Sequence, residues 1–368
     1  GITEDLITDL SKISGLFVIA RNSVFIYKGK AVKIAEVGRE LGVRYVLEGS
    51  VRKANGRVRI TAQLVDATTG GHLWAERYDR DLRDIFALQD EVTQKIVTAL
   101  AVKLAEGEED RLARKYTDNT EAYDYFLQGL EFYNRFTKEA NAEARRMFEK
   151  AIGLDPNYAL AYAKSGWTYL MDWSMGWNQD PESLERTFEL AQKARSLDDS
   201  LSEVHCLLGN VFLWKKQHDR AIAVYERAIA LNPNYAYALA ELGGILNWAG
   251  RPEQAIGLVE KAMRLNPMYS VVYLWHLGHA YLLTRRYEDA AAALKGALDR
   301  NPDFLPAHIL LAATYSESGH EDKARVEVAE ILRKSPQTSL KVLRQKLPYK
   351  DPAVLERALD SLRKAGLK

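Results

Sequence analysis

The stretch SEVHCLLGNVFLWKKQHDRAIAVYERAIALNP, residues 202–233, decides the fold. Its apolar residues recur at helical spacing in two runs separated by Lys215-Lys216-Gln217, and Pro233 stops the second run. Counted from Ser202, Gly209 is position 8, Phe212 position 11, Ala221 position 20, Tyr225 position 24, Ala228 position 27 and Pro233 position 32. Small residues at 8, 20 and 27 let the two helices of a hairpin approach closely. Large residues at 11 and 24 fill the space between hairpins.

The same spacing returns downstream. Gly243, Leu246, Ala255, Val259, Ala262 and Pro267 form the next set, and Gly278, Tyr281, Ala290, Leu294, Ala297 and Pro302 the one after. A further set keeps Tyr315, Ala324 and Pro336, with Ala312 in place of the glycine and Ile331 at position 27. The prolines at 233, 267, 302 and 336 are 34, 35 and 34 residues apart. This pattern resembles the tetratricopeptide repeat, a 34-residue helical hairpin. Two irregular sets precede it: Gly129, Phe132, Ala144, Phe148, Ala151 and Pro156, with extra residues near 137–141, and Gly166, Tyr169 and Ala194, with extra residues around 171–180. The expectation is a solenoid of about six repeats over residues 120–336. Leucines at 340, 343, 347, 355, 359 and 362 predict helices that cap its open end over residues 337–368.

Residues 1–104 lack this period. Helical spacing over 2–13 and 32–41, an apolar run at 17–20 read as a buried strand, and a helix over 85–104 surround a hairpin signal, Asn55-Gly56. That turn pairs Val51 with Ile60, Gly49 with Ala62 and Leu47 with Leu64 on an apolar face, and Ser50 with Thr61 on a polar one. His72–Tyr78 reads as a third strand. The fold class is therefore a small α/β sandwich followed by an all-α tetratricopeptide solenoid. A charged helical connector, residues 105–119, joins the two, with 106–115 extending the preceding helix.

Gly-Ile-Thr-Glu-Asp-Leu (1–6), Phe-Val-Ile-Ala-Arg-Asn-Ser (17–23), Tyr-Val-Leu-Glu-Gly-Ser-Val-Arg (45–52), Arg-Ile-Thr-Ala-Gln-Leu (59–64), Gly-His-Leu-Trp-Ala (71–75) and Asp-Ile-Phe-Ala-Leu-Gln-Asp-Glu-Val (84–92) resemble the TolB-like (FlgO-type) module. The closing Leu-Pro-Tyr-Lys-Asp-Pro (347–352) resembles the end of the same proteins. The resemblance implies the C-terminal, sensory or scaffolding half of a bacterial class III adenylate/guanylate cyclase-like protein, or of a winged-helix transcriptional regulator. The family's module opens with an apolar strand that this sequence lacks. The expectation is a piece of a longer protein whose incomplete sheet self-associates.

Composition narrows the classes. Among 368 residues, 51 basic against 50 acidic leave a net charge of +1, without a global pull towards nucleic acid or membrane. One cysteine excludes an internal disulfide and a cysteine-based zinc site. No run is apolar and long enough to span a membrane. Phosphate-binding loops, nucleophile elbows and the paired aspartates of a cyclase are absent, so no catalytic, cofactor or metal residues are assigned and no cofactor is expected.

Three side-chain groups carry alternatives. His276 and His279, or His205 and His308, are either metal ligands lacking partners or ordinary packing residues. Cys206 is a reactive thiol or, without a basic neighbour, inert. Residues 21–59 hold ten basic against three acidic residues, net +7, and 61–110 five against eleven, net −6. Arg52, Arg57 and Arg59 with Lys28, Lys30 and Lys33 could face nucleic acid, or the two halves could face each other; the latter is preferred, so no nucleic-acid partner is expected.

First-helix positions 2, 5, 9, 12 and 13 line a solenoid's concave groove. They supply Tyr123, Phe126, Tyr133, Trp167, Asn210, Trp214, Tyr237, Asn247, Trp248, Trp275 and His279. This set reads as a groove for a protein or peptide, or as side chains packed on the chain itself. Asn210 has Cys206 where a chaperone-type carboxylate clamp needs lysine, which argues against a chaperone C-terminus as ligand.

Overall fold

A computed structural model describes every residue except Gly1, Asn55, 82–84, 113–115, Gln179 and Pro181. Asn55 of the hairpin turn, Asp84 and part of the connector thus lie outside the described residues. The N-terminal part runs α1 (Ile2–Ser11), α2 (Arg21–Phe25), α3 (Ile34–Leu41), β1 (Tyr45–Ala54), β2 (Arg57–Asp66), β3 (His72–Asp81), α4 (Ile85–Ala99) and α5 (Glu108–Leu112). Six helix pairs follow among the described residues: α6 (Thr120–Tyr133) with α7 (Lys138–Leu154), α8 (Ala159–Met175) with α9 (Ser183–Leu197), α10 (Ser202–Trp214) with α11 (His218–Leu231), α12 (Ala236–Trp248) with α13 (Pro252–Leu265), α14 (Val271–Leu283) with α15 (Tyr287–Arg300), and α16 (Leu305–Glu317) with α17 (Glu321–Lys334). Helices α18 (Leu340–Lys346) and α19 (Pro352–Lys364) close the chain.

Packing divides the chain into two compact units, Gly1–Leu207 with Ala228–Tyr235, and Leu208–Arg227 with Ala236–Lys368. The division passes through α10 and α11. In the first unit the sheet has the order β1-β2-β3, antiparallel throughout. Val51 pairs with Ile60, Gly49 with Ala62, Leu47 with Leu64 and Ser50 with Thr61, the register that alternation and the turn predict. Val58, Ile60 and Ala62 bury their side chains against Leu6, Leu10 and Ile13 of the α1 region and Leu88, Val92 and Ile96 of α4. A sheet with one apolar face needs such a helical cover.

Three local expectations are corrected. Residues 17–20 form no strand; they run as non-helical backbone outside the sheet, with Phe17 exposed. Buried Asn234 bonds to one amide of this run and to the backbone just before it. Its Nδ2 donates to the carbonyls of Ser11 and Ile13, both at 3.1 Å, and its Oδ1 accepts from the Val18 amide at 3.4 Å. The helix predicted over 85–104 stops at Ala99, because Ala101 takes the left-handed conformation, φ +51°. The connector does not continue that helix: Gly107 turns the chain at φ +76° and only the short α5 follows. Buried Glu108 fixes this turn by accepting from the amides of Ser14 (2.7 Å) and Ala105 (2.8 Å).

In the second unit the small-residue positions do what their spacing requires. A Cβ on Gly278 would stand 2.6 Å from Leu294 Cγ, and one on Gly243 2.6 Å from Val259 Cγ2. At these two repeats position 8 therefore admits the large residue at position 24 only as glycine, whereas the last repeat carries buried Ala312 and Val328 at the same two positions. Leu359, Leu362, Ala365 and Leu367 are buried in one core with Leu310, Leu311 and Tyr315, so α19 covers the apolar surface of α16. The Leu340 amide donates to the Lys368 carbonyl at 2.9 Å, which fastens the last residue back onto the cap.

Candidate functional site

The predicted groove residues separate into two groups. In the first unit, Tyr123 and Phe126 are buried within the chain's own core. The Tyr123 hydroxyl donates to the Asp5 carboxylate of α1, which also accepts from Gln89 Nε2 of α4 at 2.7 Å. Phe86 of α4 stands edge-on to Tyr123, centroids 5.2 Å apart. Phe126 packs on Phe148 and Tyr158 at 5.6 and 5.0 Å. Tyr133 and Trp167 are half-buried, with Phe136 6.2 Å from Tyr133. Removal from water pushes the Asp5 carboxyl up to about 6, against the pull of the Tyr123 hydrogen bond.

In the second unit the structure gathers Trp248, Trp275 and His279. Trp248 and Trp275 lie 6.2 Å apart, and His279 stands edge-on to Trp248 at 4.4 Å. Trp275 is half-buried, whereas Trp248 is 6% exposed and His279 fully buried. Asn247 is also fully buried, its Nδ2 donating to the His276 carbonyl at 2.8 Å. Asn210 is buried and donates to the hydroxyls of Tyr225 (2.6 Å) and Tyr237 (3.4 Å); Tyr237 and Trp214 are half-buried.

Of the two alternatives, the structure shows packing on the chain itself at Trp248 and His279. Tyr349, from the run between α18 and α19, packs edge-on to Trp248 at 4.6 Å and 73°, and its hydroxyl lies 2.9 Å from His279 Nε2. An apolar aromatic face left to water is costly, and the chain covers it with its own residue. Burial pushes the His279 imidazole down to about 3, helped by the neighbouring His276, so the ring is neutral. Tyr349 is the residue that sequence reading did not assign to the site. Pro348 and Pro352, four residues apart, were the available signal: together they exclude helix and mark an extended run.

His205 and His308 have hydrogen-bond partners. His205 Nε2 lies 2.8 Å from the Asp199 carbonyl; His308 uses Nδ1 on Glu327 (2.6 Å) and Nε2 on the Pro302 carbonyl (3.0 Å). His276 Nε2 is 3.6 Å from Glu241, beyond hydrogen-bond reach, and both of its ring nitrogens are buried without a hydrogen-bond partner. No cluster of three metal-ligating side chains occurs among the described residues. Cys206 is fully buried. On the basic hairpin, Arg57 and Arg59 both grip Asp79 of β3, at 2.9 and 2.5 Å, and this pairing holds the Asp79 carboxyl below its ordinary range. Two of the three hairpin arginines are thus directed at the acidic neighbour strand.

These features define a helical, tetratricopeptide-like solenoid preceded by a small α/β part. Residues 202–235 and 281–347 match family models of the tetratricopeptide repeat. The chain is 52% identical over 222 residues to a putative adenylate cyclase 3 of Rhizobium meliloti (strain 1021), a match covering 60% of this chain and 38% of that protein. It thus spans well under half of that relative. The human mitochondrial import receptor subunit TOM70 is 27% identical over 122 residues, 33% of this chain and 18% of its own length. Among solved structures, the APC/C hetero-tetramer Cut9-Hcn1 aligns with a TM-score of 0.51 at 18% identity, over 77% of this chain and 54% of that one, a likeness of fold alone. No described helix is long and apolar enough to cross a membrane.

Proposed function

We propose that this chain is the non-catalytic, protein-binding and regulatory region of a bacterial signalling protein built like a nucleotide cyclase, with a TolB-like module over residues 1–104. The observation that carries this reading is the 52% identity over 222 residues with a putative adenylate cyclase, in a chain whose repeats are of a protein-binding type. Catalysis is assigned to other parts of such a protein, since this sequence carries no phosphate-binding loop, nucleophile elbow or paired cyclase aspartates. A nucleic-acid role for the hairpin is less well supported, because Arg57 and Arg59 are engaged by Asp79.

The test is a turnover assay of the purified chain with ATP and with GTP, alongside retention on DNA at increasing salt. The expected result is no cyclic nucleotide and no salt-sensitive retention. Cyclic nucleotide formation that a point substitution in this chain abolishes would overturn the proposal.

A further inference from the structure

Residues 347–350 form an extended strap that the second unit reads atom by atom. The Pro348 carbonyl accepts from His218 Nε2, at the start of α11. The Lys350 amide donates to the Trp248 carbonyl at 2.9 Å. That carbonyl belongs to the last turn of α12, where helical carbonyls lack intrahelical partners. The Tyr349 ring stands against Trp248 with its hydroxyl on His279 of α14, and Lys350 Nζ pairs with Asp219 Oδ1 at 2.7 Å. Three successive repeats thus supply two main-chain bonds, one aromatic slot with a hydroxyl partner and one carboxylate. Main-chain bonds that hold an extended segment, with a pocket for one side chain, are how proteins recognise peptides.

We propose that this face is a recognition site for an extended segment of the pattern Pro-Tyr-Lys, and that residues 347–350 are its intramolecular occupant, displaced by a partner segment of the same chemistry. The inference rests on the reading that the repeats bind protein. Two features set the strap apart from ordinary core. The Lys350–Asp219 pair is solvent-exposed, and a cavity of about 340 Å³ opens between residues 216–220 and Tyr349-Lys350, giving an incoming chain room to enter. The strap also leaves His279 Nδ1 and Trp275 Nε1 without a hydrogen-bond partner, although both are buried. A longer or more polar ligand could meet them.

Because the strap is tethered, it competes at an effective concentration on the order of millimolar, so an added peptide binds the intact chain weakly. The experiment uses the full chain and a labelled Leu-Pro-Tyr-Lys-Asp-Pro peptide, read by fluorescence anisotropy. Tyr349→Ala should raise affinity for this peptide at least about tenfold over the unaltered chain. A peptide with Phe for Tyr should then bind about three- to tenfold more weakly, and one with Glu for Lys weaker still. Equal affinity for the three peptides, or none for a Tyr349→Ala chain that melts cooperatively, overturns the inference. Should Tyr349→Ala fail to fold, hydrogen exchange of the unaltered chain decides: the Lys350 amide should exchange faster in excess peptide, and unchanged protection refutes displacement. A flat peptide ranking leaves the scaffold reading standing, while cyclic nucleotide production removes that reading without touching the ranking.

Discussion

Asp5 shows how one side chain ties the α/β part to the repeats inside the first unit. Its carboxylate accepts from Tyr123 of α6 and Gln89 of α4, yet burial still pushes its pKa up to about 6 from 3.8. The folded state therefore prefers the protonated acid. The charge costs no stability below about pH 3.8, and the full penalty is present above about pH 6. At neutral pH the penalty is of order 3 kcal/mol before relaxation and water access reduce it. Asparagine keeps an acceptor for both donors and carries no charge. Asp5→Asn is expected to stabilise the first unit at pH 7 by ~1–2 kcal/mol, with the gain vanishing towards pH 4. Urea unfolding followed at both pH values checks this; a variant less stable than the parent at pH 7 would show that the carboxylate's hydrogen bonds outweigh its desolvation.

At the scale of elements, what was legible in the sequence is what repeats or alternates. The β1–β2 register follows from side-chain period two and the turn at Gly56, and the helix pairs from the 34-residue period. Short aperiodic pieces were not legible. The run 17–20 is as apolar as a strand, but it lies outside the sheet and its Val18 amide donates to Asn234, more than 200 residues away. The five-residue α2 has too few positions to show a period. Tyr349 meets His279 across 70 residues, and no local pattern records such a contact. The edge of β1 raises its own expectation. One side of β1 pairs with β2, and Val51 and Tyr45 are exposed on it, 43% and 36%. An apolar edge with free backbone groups recruits another strand. We expect concentration-dependent self-association, abolished by Val51→Lys, which puts a charge on the edge. Light scattering showing the parent chain monomeric at high concentration would count against it.

At the scale of the whole molecule, the two units should answer acid with opposite signs, and Trp248 gives a second handle on the second unit. Trp248 is buried under Tyr349 and against His279, so Trp248→Ala should cost ~3–5 kcal/mol of stability in that unit, a core-sized loss. A loss under ~1 kcal/mol in urea unfolding would mean that the strap contributes little to packing. The pH response follows from His279, whose folded pKa lies near 3 because burial disfavours the imidazolium. The neutral ring's contribution is intact above its ordinary pKa near 6.5 and falls by ~1.4 kcal/mol per pH unit below it, down to about pH 3. Over the interval from pH 6 to 4, protonation of Asp5 removes a penalty from the first unit while pressure to protonate His279 adds one to the second. Hydrogen exchange resolves the two: relative to Asp5→Asn and His279→Gln references, which delete each titration, amides near Ile60 should gain protection on acidification and amides near Ala280 lose it. Charging His279 puts a second N–H donor into a buried site, and relief comes from water entering beside the strap residue that covers the ring, so the Lys350 amide should be the first in the second unit to lose protection. Loss at Ala280 before Lys350 would place the acid-sensitive step in the helices and not in the strap.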